Sequence, residues 1–399
     1  MSDDTILSNG SGGARPPREH GILQLWAPTG PVQRYVPVAP ELVLGREAPA
    51  VALRDPRVSR AHCRVRCDGA LWTLEDLGSR NGTYLDGVRL RGACCPEAGQ
   101  VLRVGHCVFL LGEGLAAQAE AVELAADGRI AGARLHAALR AIAGRAASGE
   151  ALALTCPDGA GARLAVACFG AGQALRRTPA DLDPGAPGAA LLAAADAAAG
   201  GTLVIADADE LDDEAQRVLF GLLARDGLRL CVITRRPLRD ALAAGQLRED
   251  LFFRLDAVRV ELPALAERRE ELPFHLQRTL AGMGLRPDIT LVERCLRLSW
   301  PGNLRELLAE LRAAGEAARA AGRDEVRAGD LDPRAGRTLK PGKREAVTRI
   351  VSAARLGDHA AVAAALRAEA GNVQASARAL GVHRNQLRRW LSTHKQQNV

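Results

Sequence analysis

Residues 155–166, TCPDGAGARLAV, decide what the centre of this chain is. They follow the apolar run ALAL (Ala151 to Leu154) and lead into an alanine-rich stretch of helical character. A strand that enters a helix through a glycine-rich turn is a place where backbone N–H groups can cradle a phosphate. Gly159 and Gly161 supply that turn. The position where such a loop carries its lysine holds Ala162, and the next, where a hydroxyl would hold magnesium, is Arg163.

Outward from the loop, helices alternate with the short apolar strands GTLVIAD and LRLCVIT, the pattern of an α/β domain with a mostly parallel sheet. Upstream, residues 21–113 are short alternating or apolar runs (GILQLW, QRYVPV, ELVLGR, AHCRVRC, LWTLEDL, VLRV, CVFLL) broken by Gly, Pro and Asp. That spacing predicts an all-β sandwich. After Pro263 the chain reads as helical to about Ala321, then as a Gly/Pro/Asp/Lys-rich linker over 322–344, then as helical from Glu345 to the end. Residues 1–20 lack the basic-then-apolar order of a signal peptide and read as a disordered lead. The expected fold class is therefore multidomain: an all-β sandwich, a central α/β domain spanning 125–262 with a helical lid over 263–321, and an all-α C-terminal unit over 345–399.

No apolar run approaches the roughly 18 residues of a membrane span, so no membrane partner is expected and the cytoplasm is the expected location. The 9 cysteines are scattered, without zinc-site spacing, and fit a reducing compartment as buried thiols. Charge is unevenly spread. Residues 335–399 hold twelve Lys/Arg against three Asp/Glu, a net +9, which leaves −3 for the remainder of a chain whose total is +6. A basic end on a near-neutral body points to a polyanionic partner.

The densest motif set is Gly45-Arg46, Ser59-Arg60-Ala61-His62 and Ser79-Arg80-Asn81-Gly82-Thr83, each at the end of an expected strand. Loops at one rim of a sandwich gather residues distant in sequence, and guanidinium, hydroxyl and amide donors suit a small anion. This set resembles a forkhead-associated (FHA) domain over nearly all of residues 21–113. The resemblance implies binding of phosphothreonine peptides, with Arg46 and Ser59 on the phosphate, Arg60 and Arg80 flanking it, and Asn81 on the peptide backbone. His62 would brace the loops and Gly82 supply a turn.

AAGGTLVIADADEL, GQLREDLFFRLDAVRVELPALAERREELP and LSWPGNLREL resemble the AAA+ domain of sigma-54-dependent enhancer-binding regulators over about residues 125–320. The family's phosphate-loop lysine falls on Ala162, and its acidic pair on Ala206 and Asp207; a shifted register would place Asp207 or Asp209 at the magnesium. Thr234 is kept in the sensor segment, with Arg235 beside it. Arg248 and Arg254 match the arginines that act across the ring, and Arg305 the lid arginine; Arg254 has Asp250 at helical i, i+4 spacing. The interval from Ala162 to Ala206 is short for the family and holds nothing like its sigma-contacting GAFTGA loop; residues 170–200 read as a loop followed by one helix. ATP and magnesium are thus the cofactors implied by the resemblance, while the residues themselves describe an ATPase that has lost its chemistry. An active ATPase using Arg163 as the phosphate cation is the alternative.

Finally, AVAAALRAEAGNVQASARALGVHRNQLRRWLSTHK has two helical pieces, a Gly381-Val382 turn and a last helix with Arg384, Asn385, Gln386, Arg388 and Arg389 opposite Leu387 and Leu391. These residue types read bases and phosphates in a major groove. The segment resembles a Fis-type helix-turn-helix, which implies DNA as partner and at least a homodimer. The combined expectation is a DNA-binding transcriptional regulator that senses phosphothreonine on a Ser/Thr kinase, its substrate or another copy of the chain. The rivals are a working sigma-54 activator ATPase and an FHA adaptor without specific DNA binding.

Overall fold

The computed structural model describes residues 20–68, 71–120, 122–125, 128–170, 174–183 and 185–336, and beyond them residues 362, 364–365, 373–380, 387 and 391. Ten strands open the fold: β1 (His20–Ala27), β2 (Gly30–Pro37), β3 (Glu41–Gly45), β4 (Val51–Ala52), β5 (Cys63–Asp68), β6 (Leu71–Asp76), β7 (Thr83–Leu85), β8 (Val88–Arg89), β9 (Val101–Val104) and β10 (Cys107–Glu113). They form one sheet in the order β2-β1-β10-β9-β7-β8 and another in the order β4-β3-β5-β6. The two share a core in which Ile22, Leu102 and Phe109 of the first meet Leu44, Val65 and Leu74 of the second.

A short hairpin, β11 (Glu123–Leu124) with β12 (Ile130–Ala131), leads into α1 (Ala133–Ser148) and β13 (Leu152–Thr155). Then come α2 (Ala162–Phe169), β14 (Ala174–Arg177), α3 (Pro187–Ala197), β15 (Thr202–Ile205), α4 (Asp213–Leu222), β16 (Arg229–Thr234), α5 (Leu238–Ala243), α6 (Glu249–Ala257) and β17 (Arg259–Glu261). The sheet is parallel throughout, in the order β14-β15-β16-β13-β17. Every residue of β13 and β15 is buried, as parallel strands covered on both faces require. Alternate residues serve separate cores: Leu203 and Ile205 pack beside α3 and α4, whereas Val204 joins the layer of α1 and α2.

Strand β14 corrects the expectation of a loop followed by one helix over 170–200. Ala174–Arg177 is the outermost strand of the sheet, alternately exposed and half-buried. An edge strand of this kind carries two arginines and no apolar stripe, so the alternation that announces a strand is missing.

The lid comprises α7 (Leu272–Ala281), α8 (Ile289–Arg297) and α9 (Asn303–Ala320), tied by the parallel pair β18 (Arg286–Pro287) and β19 (Glu325–Val326). Its core does not stop at the lid. Leu276, Val292 and Leu296 continue into Leu23, Leu25, Trp26, Val101, Val108 and Leu110 of the first sheet of the sandwich. That explains why β1 and β10 are apolar runs rather than alternating ones: each is buried on both faces. Within the contact, Arg103 Nε donates to Glu293 Oε2 at 2.6 Å and lies 3.7 Å over the Tyr84 ring, and the Gly87 N–H reaches Glu293 Oε1 at 2.7 Å. In the C-terminal region the described residues contain α10 (Val373–Leu380).

Candidate functional site

Two sites take shape, one at a rim of the sandwich and one between the parallel sheet and the lid. At the rim, the end of β3 is zipped to the loop before β5: the Arg46 N–H donates to Ser59 O at 2.9 Å and the Glu47 N–H to Arg60 O at 3.1 Å. Gly45 makes this approach possible, since a Cβ there would lie 2.1 Å from Arg60 O. His62 is fully buried beneath. Its Nδ1 accepts from the Ser59 N–H at 3.1 Å, and its Nε2 donates to Gly82 O at 3.2 Å. That arrangement needs the neutral ring, and burial holds the His62 pKa below the ordinary imidazole value.

The second loop is drawn in by Ser59, whose Oγ accepts from the Arg80 N–H at 3.2 Å, while Asn81 Nδ2 donates to Arg57 O at 2.7 Å. The structure thus brings the expected residues to one rim, with Arg46, Arg60, Arg80 and Asn81 exposed and Ser59 half-buried. The sequence reading missed Asp76, the anchor of the loop. Its carboxylate accepts from the Ser79 N–H at 2.8 Å, Ser79 Oγ at 2.6 Å and Thr83 Oγ1 at 2.6 Å. Against burial, which pushes its pKa up, the bonds from Ser79 and Thr83 hold it below the usual carboxylate value. An Asp three residues before a Ser in a Gly-containing turn was the available signal.

The second site is a cleft of about 550 Å³ whose lining includes Gly159, Gly161, Ala162, Arg163, Arg176, Ala206, Asp207, Arg235 and Arg305. The loop after β13 turns through Gly159 (φ 73°) and Gly161 (φ 125°), the latter capping α2. The lid presses on this loop: a Cβ on Gly159 would lie 2.2 Å from Gly302 O, and Asn303 Nδ2 donates to Asp158 O at 2.8 Å. Asp207, in the left-handed region at φ 57°, is held by both arms of Arg235, Nε to Oδ1 at 2.7 Å and Nη2 to Oδ2 at 2.9 Å. Glu210 adds a further contact to the same guanidinium at 3.5 Å. Asp209 is buried and faces the Arg235 N–H at 3.4 Å. Thr234 is buried against Thr155.

Arg248 and Arg254 lie apart from this cleft, on α6 and its cap. The expected Asp250–Arg254 pair does not form. Asp250 is taken by Arg248 in a two-armed pair at 3.0 and 2.7 Å, and Arg254 sits 5.2 Å over the Phe220 ring. The cap residue reaches the first-turn carboxylate sooner than a side chain one turn on.

The expected DNA-reading residues Arg384, Asn385, Gln386, Arg388 and Arg389 lie outside the described residues. Nearby, Ser376 Oγ donates to Ala365 O at 3.3 Å, and Leu380 and Leu387 are buried. Among the described residues no helix is long and apolar enough to cross a membrane.

Comparison with known proteins fits these geometries. Residues 42–105 match the FHA domain family, and residues 132–265 match the sigma-54 interaction domain family. The chain carries an FHA domain and a sigma-54 interaction domain. Over the latter it is homologous to NtrC-type sigma-54-dependent regulators. It is 35% identical over 133 residues to the transcriptional regulatory protein GlrR of Escherichia coli, covering 28% of this chain and 30% of that one. It is 34% identical over 129 residues to the DNA-binding transcriptional regulator NtrC of Azospirillum brasilense, covering 28% and 27% respectively. The matched segment thus spans less than a third of these relatives' length. Among solved structures, NtrX from Brucella abortus in complex with ATP is similar at 22% identity and a TM-score of 0.46, with 69% of each chain covered.

Proposed function

We propose that this chain is a DNA-binding transcriptional regulator whose FHA domain reads phosphothreonine and whose sigma-54 interaction domain has lost ATP hydrolysis and serves as an assembling scaffold. The observation that carries the loss of hydrolysis is the Asp207–Arg235 pair. Hydrolysis needs a cation beneath the β- and γ-phosphates and a carboxylate-held magnesium ion. Ala162 offers a methyl group at the first place and Ala206 another beside the second; Asp207 is neutralised at both oxygens by a guanidinium, and Asp209 is buried against the Arg235 N–H. This donor set does not fit magnesium, which demands free carboxylate oxygen and near-octahedral space. No catalytic step is assigned to it.

For the rim, the supporting geometry is the set of exposed arginines around Ser59, with their backbones fixed by His62 and Asp76. A phosphorylated threonine carries close to two negative charges and accepts forked donors at this scale. The C-terminal segment is assigned to DNA on its Fis-type motif and its +9 charge, and the active species is a homodimer or larger homo-oligomer.

The test is turnover. Purified full-length protein at high concentration, with enhancer-like DNA, is expected to hydrolyse no ATP above background. Turnover that is lost in Arg254→Ala would replace this reading with that of a working sigma-54 activator ATPase. DNA binding is checked separately by its salt dependence, and the absence of any specific site at low salt would leave only an FHA adaptor.

A further inference from the structure

A single turn of chain touches the phosphate loop on one side and the FHA domain on the other. Arg268 and Arg269 are neighbours in the strap between β17 and α7, and they point to opposite sides. Arg268 is wholly buried; its Nη1 pairs with Glu271 at 2.9 Å and its Nη2 donates to Ala160 O, within the phosphate loop, at 2.6 Å. Arg269 Nη1 donates instead to Gly99 O of the FHA domain at 3.0 Å and to Leu296 O of α8 at 3.2 Å.

On the FHA side the contact continues without a break to the peptide rim. The Gly99 loop is fastened to Asp86, which accepts from Gln100 Nε2 at 2.8 Å and from the Val101 N–H at 2.9 Å. Asp86 directly follows the three-residue strand β7, and β7 begins at Thr83, which is bonded to Asp76 and comes just after Asn81 and Gly82. On the lid side, Asn303 bridges the Leu265 N–H at 2.7 Å and Asp158 O at 2.8 Å, so the strap and the phosphate loop share a second tie.

We propose that the Arg268–Arg269 turn relays phosphothreonine binding at the FHA rim to the phosphate loop of the cleft, so that occupancy of one site sets the order of the other. The inference rests on the reading of the rim as a phosphothreonine site. Its physical basis is that both guanidiniums are fixed at two points each in a water-poor junction, so a shift of the Gly99 loop is passed to Ala160 rather than absorbed. Coupling carried by a packed hydrogen-bonded chain between two sites must also act in reverse.

The experiment is hydrogen exchange on the full-length protein, with a pool of phosphothreonine peptides of randomised flanks as the probe and the same pool after phosphatase treatment as control. Anisotropy on the same samples reports binding at the rim. The expected result is a change of at least about fivefold in the exchange of amides over 158–164 on binding the phosphorylated pool. Arg269→Gln, which removes both carbonyl contacts, is expected to abolish that response while the anisotropy titration is retained. Should Arg269→Gln not fold, Arg269→Lys, whose shorter side chain holds the two carbonyls less firmly, is expected to weaken the response by more than half. Binding at the rim with unchanged exchange over 158–164 overturns the relay alone. No binding of the phosphorylated pool overturns the phosphothreonine reading, and the relay with it.

Discussion

The FHA rim and the cleft beneath the lid both gather arginines around glycine-bent loops, yet they use their carboxylates differently. At the rim, Arg46, Arg60 and Arg80 face solvent, and the carboxylate beneath them, Asp76, is spent on hydroxyls and backbone. Among the described residues these arginines make one ion pair, Arg46 with its neighbour Glu47, at 3.9 Å and well exposed, which is worth little. In the cleft, Arg235 is consumed by Asp207 and Glu210 of its own chain. A cation left unanswered invites an anion; a carboxylate already paired at both oxygens is closed to a metal. The rim thus leaves its guanidiniums exposed, whereas in the cleft Asp207 is already paired, with Arg163, Arg176 and Arg305 also on the lining.

The predictions run from the largest effect down. The two regions are one packed body through the Arg103–Glu293 pair, whose side chains are 14% and 4% exposed. Glu293→Leu strands that guanidinium and is expected to cost about 3 kcal/mol in urea unfolding, because breaking a buried pair leaves an unpaired charge. Denaturation in two separate steps in the unaltered protein would break the claim of one body. Next, Arg46→Ala is expected to weaken phosphopeptide binding about a hundredfold, or ~2.8 kcal/mol, the loss of a charge-assisted donor to phosphate. Titration by anisotropy checks this, and Lys in place of Arg46 is expected to recover only part of the loss.

Between the regions lies Glu270, wholly buried, with neither carboxylate oxygen hydrogen-bonded. Burial raises its pKa from the ordinary 4.5 to about 7. As pH rises from 4.5 towards 7, the unfolded chain releases a proton that the folded chain retains, so folding loses stability over that window and stays weaker above it. Glu270→Gln is expected to stabilise the protein by about 2 kcal/mol at pH 8 and by almost nothing at pH 4.5, read from denaturant midpoints. His62 works the other way. Its folded pKa lies below its unfolded value of 6.5, so FHA stability is present above that value and is lost as pH falls through the lower folded one. Smallest in effect, Ala162→Lys combined with Arg235→Ala rebuilds the cation and frees Asp207. Nucleotide affinity in the presence of magnesium is expected to rise about tenfold, ~1.4 kcal/mol, by calorimetry.

Much of this was legible in the sequence because it lay in local pattern. β13, β15 and β16 announce themselves as short apolar runs, and the rim residues fall at strand ends in order. The alanines at 162 and 206 could be read directly once the loop was placed. What was not legible lay in contacts between distant residues. Nothing near Arg235 in the chain says that it will saturate Asp207, nor near Glu293 that it will meet Arg103. The covered outer face of the FHA sheet did leave a trace: GILQLW and CVFLL are too continuously apolar for a sheet with one wet face. The edge strand β14 left none, since its ALRR faces solvent on alternate residues.

The measurement that reaches the centre of the account is anomalous diffraction at the manganese edge from crystals grown with nucleotide and manganese, manganese standing in for magnesium. The expected map shows Asp207 still bound to both arms of Arg235 and no metal in the cleft. A manganese peak coordinated by Asp207 and a triphosphate would contradict it.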